Sequence, residues 1–293
     1  MDRRTFLWTG GCALVATGAV AAPRKMMPWR ADDFRRAVAA CEAASGGRLG
    51  VAILDTATGA RLSRRGDERF PMCSTFKFLL VTAILRRVDR GRDRLDRRIP
   101  VAASDILHNS PITEQRVGRD ASVAELCAAT VTRSDNAAAN LLLPAVGGPA
   151  GLTRFLRGLG DDRTRLDRNE PAMSEVVPGD PRDTTTPLAM LGLLDQILMG
   201  RILSGSSRAR LTGWLIANRT GDHRLRAGLP ATWKVGDKTG SGNHGTTNDI
   251  AILWPPARAP LLVTSYLTGS ALSSADRDAI HTRLAKAIAG IPW

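Results

Sequence analysis

The chain is poor in aromatic residues, with one tyrosine and 4% aromatics among 293 residues, so it lacks the stacking surfaces on which binders of single-stranded nucleic acid depend. The formal charge of +13 therefore needs another reading. It is carried mostly by arginines scattered as Arg35-Arg36, Arg64-Arg65, Arg86-Arg87 and Arg97-Arg98, a pattern of a solvated basic surface and not of a nucleic-acid face. Histidines are few as well, and His108, His223, His244 and His281 show neither H-x-H nor H-E-x-x-H spacing. That argues against a zinc hydrolase, and no metal or other cofactor is expected. The absence of G-x-S-x-G argues against the nucleophile elbow of an α/β-hydrolase. Cysteine is scarce too: beyond Cys12 there remain Cys41, Cys73 and Cys127, an odd number with no metal-binding spacing. In an oxidising compartment at least one thiol stays free, and Cys73 reads as a small buried packing residue.

No apolar run is long enough to span a bilayer. The N-terminus instead carries Arg3-Arg4-Thr5-Phe6-Leu7, an apolar stretch from Cys12 to Val20, and small residues at Ala19-Val20-Ala21. This is the layout of a twin-arginine signal peptide over residues 1–21, with export to a bacterial periplasm. Cys12 precedes most of the apolar stretch, which makes it a poor lipid anchor, so no membrane anchor is expected after cleavage.

Past the leader, Phe34, Ala37, Val38 and Cys41 stand at helical spacing, which predicts a helix over 28–44 closed by Ser45-Gly46-Gly47. Leu49 to Asp55 reads as a strand, and a turn and second strand run to about Ser63. Between 66 and 215 the pattern predicts helices and loops without strands. Ser122-x-x-Glu125 is a capping box, Asn136 to Val146 an apolar helix, and 160–186 an aperiodic loop too long to be idle. Strands return at 232–236, 249–254 and 260–266, and an amphipathic helix closes the chain over 274–288. The expected fold is α+β: an antiparallel sheet lobe from 22–65 plus 216–293, and an inserted all-helical lobe from 66–215. A cleft is expected between them.

The densest chemistry lies in Phe70-Pro71-Met72-Cys73-Ser74-Thr75-Phe76-Lys77 and the helix it opens. From Thr75 to Val88 that helix is apolar on nearly every face, as a helix buried mid-domain is. Ser74 and Lys77 are three residues apart and share a face. Burial disfavours the ammonium, and a neutral amine beside a serine can take its proton. Three further pieces follow in order: Ser134-Asp135-Asn136 between two helices, Glu170 in the long loop, and Lys238-Thr239-Gly240-Ser241 after a strand. Each is weak alone. Together, S-x-x-K, S-D-N, a Glu-bearing loop and K-T-G form the signature of class A β-lactamases and penicillin-binding proteins.

Over essentially the whole mature chain the sequence resembles the class A serine β-lactamases. Arg168-Asn169-Glu170-Pro171 through Asp183 is similar to their Ω loop, placed at about 165–183, with Arg168 and Asp183 where its closing ion pair stands. The resemblance implies a small-molecule β-lactam substrate, hydrolysis through an acyl-enzyme that confers antibiotic resistance, and a monomer. It implies that Ser74 is the nucleophile, that the N–H groups of Ser74 and Ser241 form an oxyanion hole, and that Lys77 or Glu170, through a water, takes the serine proton. It further implies that Ser134 delivers a proton to the lactam nitrogen, that Asn136 holds the substrate's amide side chain, and that Lys238, Thr239 and Ser241 bind its carboxylate. Glu170 would activate the deacylating water, and Asp135 reads as structural.

Four positions depart from the family pattern. Ser174 stands where an asparagine usually helps hold the water. Asn109 replaces an aromatic wall of the cleft, which widens the entrance. The arginine often found after K-T-G is absent at Thr247, and Arg224 is placed as in a subgroup that moves the carboxylate-binding arginine there. Gly242 stands where some members carry a cysteine, so Cys73 lacks that disulfide partner. The alternatives are a D-Ala-D-Ala peptidase and a β-lactam sensor domain that stays acylated; Glu170 argues against the first, and the missing membrane span against the second.

Overall fold

The computed structural model describes residues 28–291 and Trp293; the export segment expected at 1–21 lies outside the described residues. Helix α1 (Pro28–Ser45) precedes strands β1 (Arg48–Asp55), β2 (Arg61–Arg64) and β3 (Phe70–Pro71). Helix α2 (Phe76–Asp89) follows, then β4 (Arg98–Pro100), β5 (Asp120–Ser122), α3 (Val123–Thr132), α4 (Asn136–Leu142) and α5 (Gly148–Arg157). After β6 (Thr184–Thr185) come α6 (Pro187–Leu194), α7 (Gly205–Ile216), β7 (Lys234–Gly242), β8 (Thr246–Trp254), β9 (Leu261–Thr268) and α8 (Ser274–Gly290).

The main sheet is antiparallel, five strands in the order β2-β1-β9-β8-β7. Its strands come from both ends of the described chain and helices α2 to α7 from the stretch between, the α+β arrangement expected. Most of β1, β8 and β9 is buried along its whole length, because both faces of the sheet are covered. Successive residues divide between two cores: Leu49, Val51 and Ile53 pack with Phe34 and Val38 of α1 and Leu284 and Ile288 of α8, while Ala52 and Leu54 join the core that contains α2. The twofold alternation of a strand thus reads as a continuous apolar run.

Local chemistry starts the helices. Ser122 and Glu125 form the expected capping box, Oγ accepting from the Glu125 N–H at 3.1 Å and the carboxylate from the Ser122 N–H at 2.7 Å. Asp135, Thr186 and Ser273 cap α4, α6 and α8. The helix expected over 136–146 continues past Leu142 as a 3₁₀ turn and stops at Gly147, whose φ of 86° is left-handed.

Two expectations need correction. The 66–215 stretch is not free of strands: β3 pairs with β6, and β4 with β5. These ladders of two and three residue pairs are too short to show a periodic pattern and are set by where the chain is held. In addition, K-T-G does not follow a strand. It lies inside β7, which runs Lys234–Gly242 and stays paired to β8 through Gly242.

Candidate active site

The site is assembled where β7 passes the entry to α2. Cys73, Ser74 and Thr75 form one 3₁₀ turn ahead of α2, with Cys73 at a left-handed φ of 43°. Gly240 explains the glycine of K-T-G: a Cβ there would lie 2.7 Å from the Met72 oxygen and 3.1 Å from the Ser74 nitrogen. Any side chain would push the strand off the nucleophile turn. On the other side, Asn248 Nδ2 donates to the Pro71 and Met72 oxygens at 2.9 and 3.0 Å, tying β8 to the same turn.

Ser74 Oγ accepts from Lys77 Nζ at 3.0 Å and donates to Glu170 Oε1 at 3.2 Å. Lys77 Nζ is 3.1 Å from the same carboxylate oxygen and also donates to Ser134 O at 2.8 Å, Ser134 Oγ at 3.3 Å and Asn136 Oδ1 at 2.5 Å. Lys77 is fully buried. Burial pulls its pKa below the ordinary lysine value, and the Glu170 carboxylate opposes that pull.

Ser134 Oγ bridges two lysines, because Lys238 Nζ donates to it at 3.1 Å and to Thr239 O at 2.7 Å. Lys238 is also fully buried, and burial together with the charge of Lys77 drives its pKa well below the ordinary value. Ser134 has a left-handed φ of 55°, a conformation that costs a non-glycine residue roughly 1–3 kcal/mol. Its surroundings impose it. Asp135 accepts from the N–H groups of Ile112, Thr113 and Ala138 and from Thr113 Oγ1, which is the structural role read for it, and Asn109 Nδ2 donates to Ser134 O at 2.9 Å. The amide of Asn109 is thus committed to the S-D-N turn.

The Glu170 loop is closed by Arg168 Nε to Asp183 Oδ2 at 2.6 Å. Ser174 Oγ donates to Glu170 Oε2 at 3.1 Å, so it touches the carboxylate directly. Arg224 lies beneath the end of β7: Nη2 donates to Ser241 Oγ at 2.7 Å, Nη1 to Gly240 O and Asn248 O, and Nε to Asp278 at 2.7 Å. Thr239 Oγ1 meets Thr220 Oγ1 at 2.5 Å. Ser74, Lys77, Ser134, Glu170, Asn136, Lys238 and Ser174 thus form one bonded cluster, with Thr239, Ser241 and Arg224 along the adjoining strand.

Sequence reasoning missed Asn140 and Asp278. Asn140 clamps Glu170 by both backbone groups, Nδ2 donating to its oxygen at 2.8 Å and Oδ1 accepting from its N–H at 3.1 Å. Its spacing of four from Asn136 on α4 was the available signal. Asp278 anchors Arg224 from α8, and nothing in its local sequence announces this. Among the described residues Cys41, Cys73 and Cys127 are all free and buried, and burial raises the Cys73 thiol. A Cβ on Gly242 would lie 2.7 Å from Cys73 Sγ, so the glycine leaves room for the thiol. Among the described residues no cluster of candidate metal ligands occurs, and no helix is long and apolar enough to cross a membrane.

A buried serine, lysine and glutamate in mutual contact, beside a strand bearing a second buried lysine, define an acyl-transfer type of site on an α+β fold. The family model described as "Beta-lactamase enzyme family" matches residues 33–291. The chain is 44% identical to "Beta-lactamase L2" of Stenotrophomonas maltophilia, over 98% of this chain and 97% of that protein. Among solved structures it is similar to an ancestral (GNCA) class A β-lactamase, with 60% identity and TM-score 0.86 over 87% of this chain and 98% of that one. A β-lactamase from Xanthomonas campestris matches with 55% identity and TM-score 0.88 over 89% and 98%. The chain belongs to the β-lactamase enzyme family, in class A.

Proposed function

We propose that this enzyme hydrolyses β-lactams through an acyl-enzyme on Ser74. The observation that carries the reading is Ser74 Oγ held between Lys77 Nζ at 3.0 Å and Glu170 Oε1 at 3.2 Å. Ser74 Oγ attacks the lactam carbonyl, and the developing oxyanion is met by the N–H groups of Ser74 and Ser241. Its proton leaves to the Lys77–Glu170 pair: the Glu170 carboxylate accepts it directly, or Lys77 accepts it after passing its own proton to Glu170 at 3.1 Å. As the C–N bond breaks, Ser134 Oγ protonates the ring nitrogen and is resupplied from Lys77 at 3.3 Å. Lys238, Thr239 and Ser241 hold the substrate carboxylate, with Arg224 behind Ser241. Asn136 Nδ2 gives one hydrogen to His108 O at 2.9 Å and keeps a second for the substrate's amide carbonyl. Glu170, steadied by Asn140 and Ser174, removes a proton from the water that attacks the ester, and Ser74 leaves with its proton restored. Such a positioned glutamate separates this enzyme from peptidases and sensors that remain acylated.

The leader over 1–21 supports export to the periplasm by the twin-arginine route, and replacing Arg3 and Arg4 by lysine tests the route by cell fractionation. A monomer is proposed as well and is checked by sedimentation. The function itself is tested by steady-state hydrolysis of a penicillin, a cephalosporin and a carbapenem. Turnover that Ser74→Ala abolishes, with a drug-mass adduct on the Ser74 peptide, is expected; adduct on another residue, or turnover that survives in Ser74→Ala, contradicts it.

A further inference from the structure

Next to the catalytic cluster, and separate from it, a groove of about 1270 Å³ runs between α4 and the 91–107 segment. One wall is apolar: Leu141, Pro144 and Ala145, three and four residues apart on α4 and its 3₁₀ continuation, line it over the buried Ala137, with Leu107 opposite. The other wall is cationic, carrying Arg87, Arg92, Arg94, Arg97 and Arg98. The three carboxylates that line it are already taken. Asp93 holds Arg97 at 2.6 and 2.8 Å, Asp96 holds Arg94 at 2.6 and 2.9 Å, and Asp105 caps the Ala102 N–H at 2.8 Å.

Positive charge is left over at one end. There a smaller cavity of about 160 Å³ adjoins, sharing Arg87 and Arg92 and adding Arg86 and Arg90. Among the described residues Arg87 Nε is buried without a hydrogen-bond partner; its Nη2 donates to Arg92 O at 3.2 Å, and its nearest carboxylate, Asp93, is 4.0 Å away. Neither Arg90 nor Arg92 is paired with a carboxylate among the described residues. Surplus arginines that line one end of an apolar wall match a head with several anionic oxygens on an aliphatic body, because guanidinium N–H groups pair with phosphate oxygens in parallel. The groove also reaches the chemistry. Asn140 lines it, and the same Asn140 clamps the backbone of Glu170.

We propose that this groove binds an amphipathic anion, a phosphate monoester on an aliphatic body, with its head at Arg87, Arg90 and Arg92 and its body along α4, and that occupancy is felt at Glu170 through Asn140. The site lies outside the substrate cleft, so its ligand does not displace a β-lactam. The kinetic arm of the test rests on the function proposed above, whereas the binding arm requires no turnover and reads even if that function fails.

The probe is monododecyl phosphate below its micelle concentration, titrated calorimetrically into the full enzyme, with inorganic phosphate and dodecyl maltoside as the head-only and body-only arms. The expected result is that dodecyl phosphate binds at least about tenfold more tightly than either, and that Arg92→Glu weakens it about tenfold or more, the size of one lost charge-assisted pair. Arg283→Glu, the same charge change on α8, should leave the affinity within about twofold. Amide shifts should move at Leu141 and Ala145 and not at Ser241. At saturation the kcat for a cephalosporin should change by about twofold or more in the wild type and stay constant in Arg92→Glu, whose own kcat matches the wild type. Binding of the maltoside as tightly, an equal loss in Arg283→Glu, shifts centred on Ser241, or a kcat that ignores saturation would each overturn the proposal.

Discussion

Two buried lysines stand on opposite sides of Ser134 Oγ, and their surroundings differ in one respect. Lys77 has a carboxylate 3.1 Å away; among the described residues the hydrogen-bond partners of Lys238 Nζ are Ser134 Oγ and Thr239 O. The neighbouring Asp237 points to the opposite face of β7, where Asn218 donates to it at 2.7 Å and Arg226 also holds it. A buried charge without a counter-ion is costly. The Lys77 side is therefore electrically complete and set to move protons, whereas the Lys238 side is incomplete until an anion arrives. In the function proposed, that anion is the substrate carboxylate.

Removing the charge on the completed side should have the largest effect. Glu170→Gln is expected to slow deacylation by about 10²–10⁴, the range for a positioned general base, so that acyl-enzyme accumulates; single-turnover rates with a penicillin measure it. On the incomplete side, Lys238→Ala should lower kcat/KM by roughly 10- to 150-fold, the equivalent of one charge-assisted hydrogen bond, mainly through formation of the acyl-enzyme. A loss confined to deacylation would erase the distinction between the two sides.

The next effect concerns what supports the Lys238 side from behind. His281 is fully buried, its Nδ1 2.9 Å from Ser265 Oγ and its Nε2 3.1 Å from Thr247 O. Burial, with Arg224 adding to it, lowers its pKa from 6.5 to about 3. Below about 6.5 the unfolded chain binds a proton that the folded protein refuses. Stability from this group is whole above that pH and lost as pH falls toward 3, at up to about 1.4 kcal/mol per pH unit. His281→Gln should flatten that part of the profile, and urea midpoints between pH 7 and 4 for both proteins check it. Parallel profiles would remove His281 from the account.

The smallest effect belongs to Ser174. Its bond to Glu170 Oε2 at 3.1 Å is a single hydroxyl contact, and Ser174→Ala should slow deacylation by only about 2- to 12-fold, the equivalent of 0.5–1.5 kcal/mol. Stopped-flow deacylation separates this from the Glu170 loss, and equal rates would leave Ser174 a packing role.

The difference between the two sides was only partly legible in the sequence. The Lys77 side could be read because S-x-x-K sits on a helix apolar all round, which announces burial, and because α3 starts with a recognisable capping box. The strand carrying Lys238 was placed too early. Asp237-Lys238-Thr239-Gly240-Ser241 has no apolar alternation, since it is buried under the nucleophile turn through a glycine contact and not by a hydrophobic face. Strands β1, β8 and β9 were read as strands from continuous apolar runs, and the two cores on either side of the sheet explain those runs. Asn140 and Asp278 act across 30 and 54 residues of chain; Asn140 shows locally only its spacing of four from Asn136, which does not name Glu170 as its partner, and Asp278 shows nothing.

The most direct test of the two-sided account is rapid-quench mass spectrometry of Glu170→Gln and Lys238→Ala with one penicillin, following acyl-enzyme on Ser74 as it forms and decays. Glu170→Gln is expected to form the adduct and hold it for minutes or longer, while Lys238→Ala forms it slowly and releases it at the wild-type rate. Adduct that decays at the wild-type rate in Glu170→Gln, or that persists in Lys238→Ala, would contradict it.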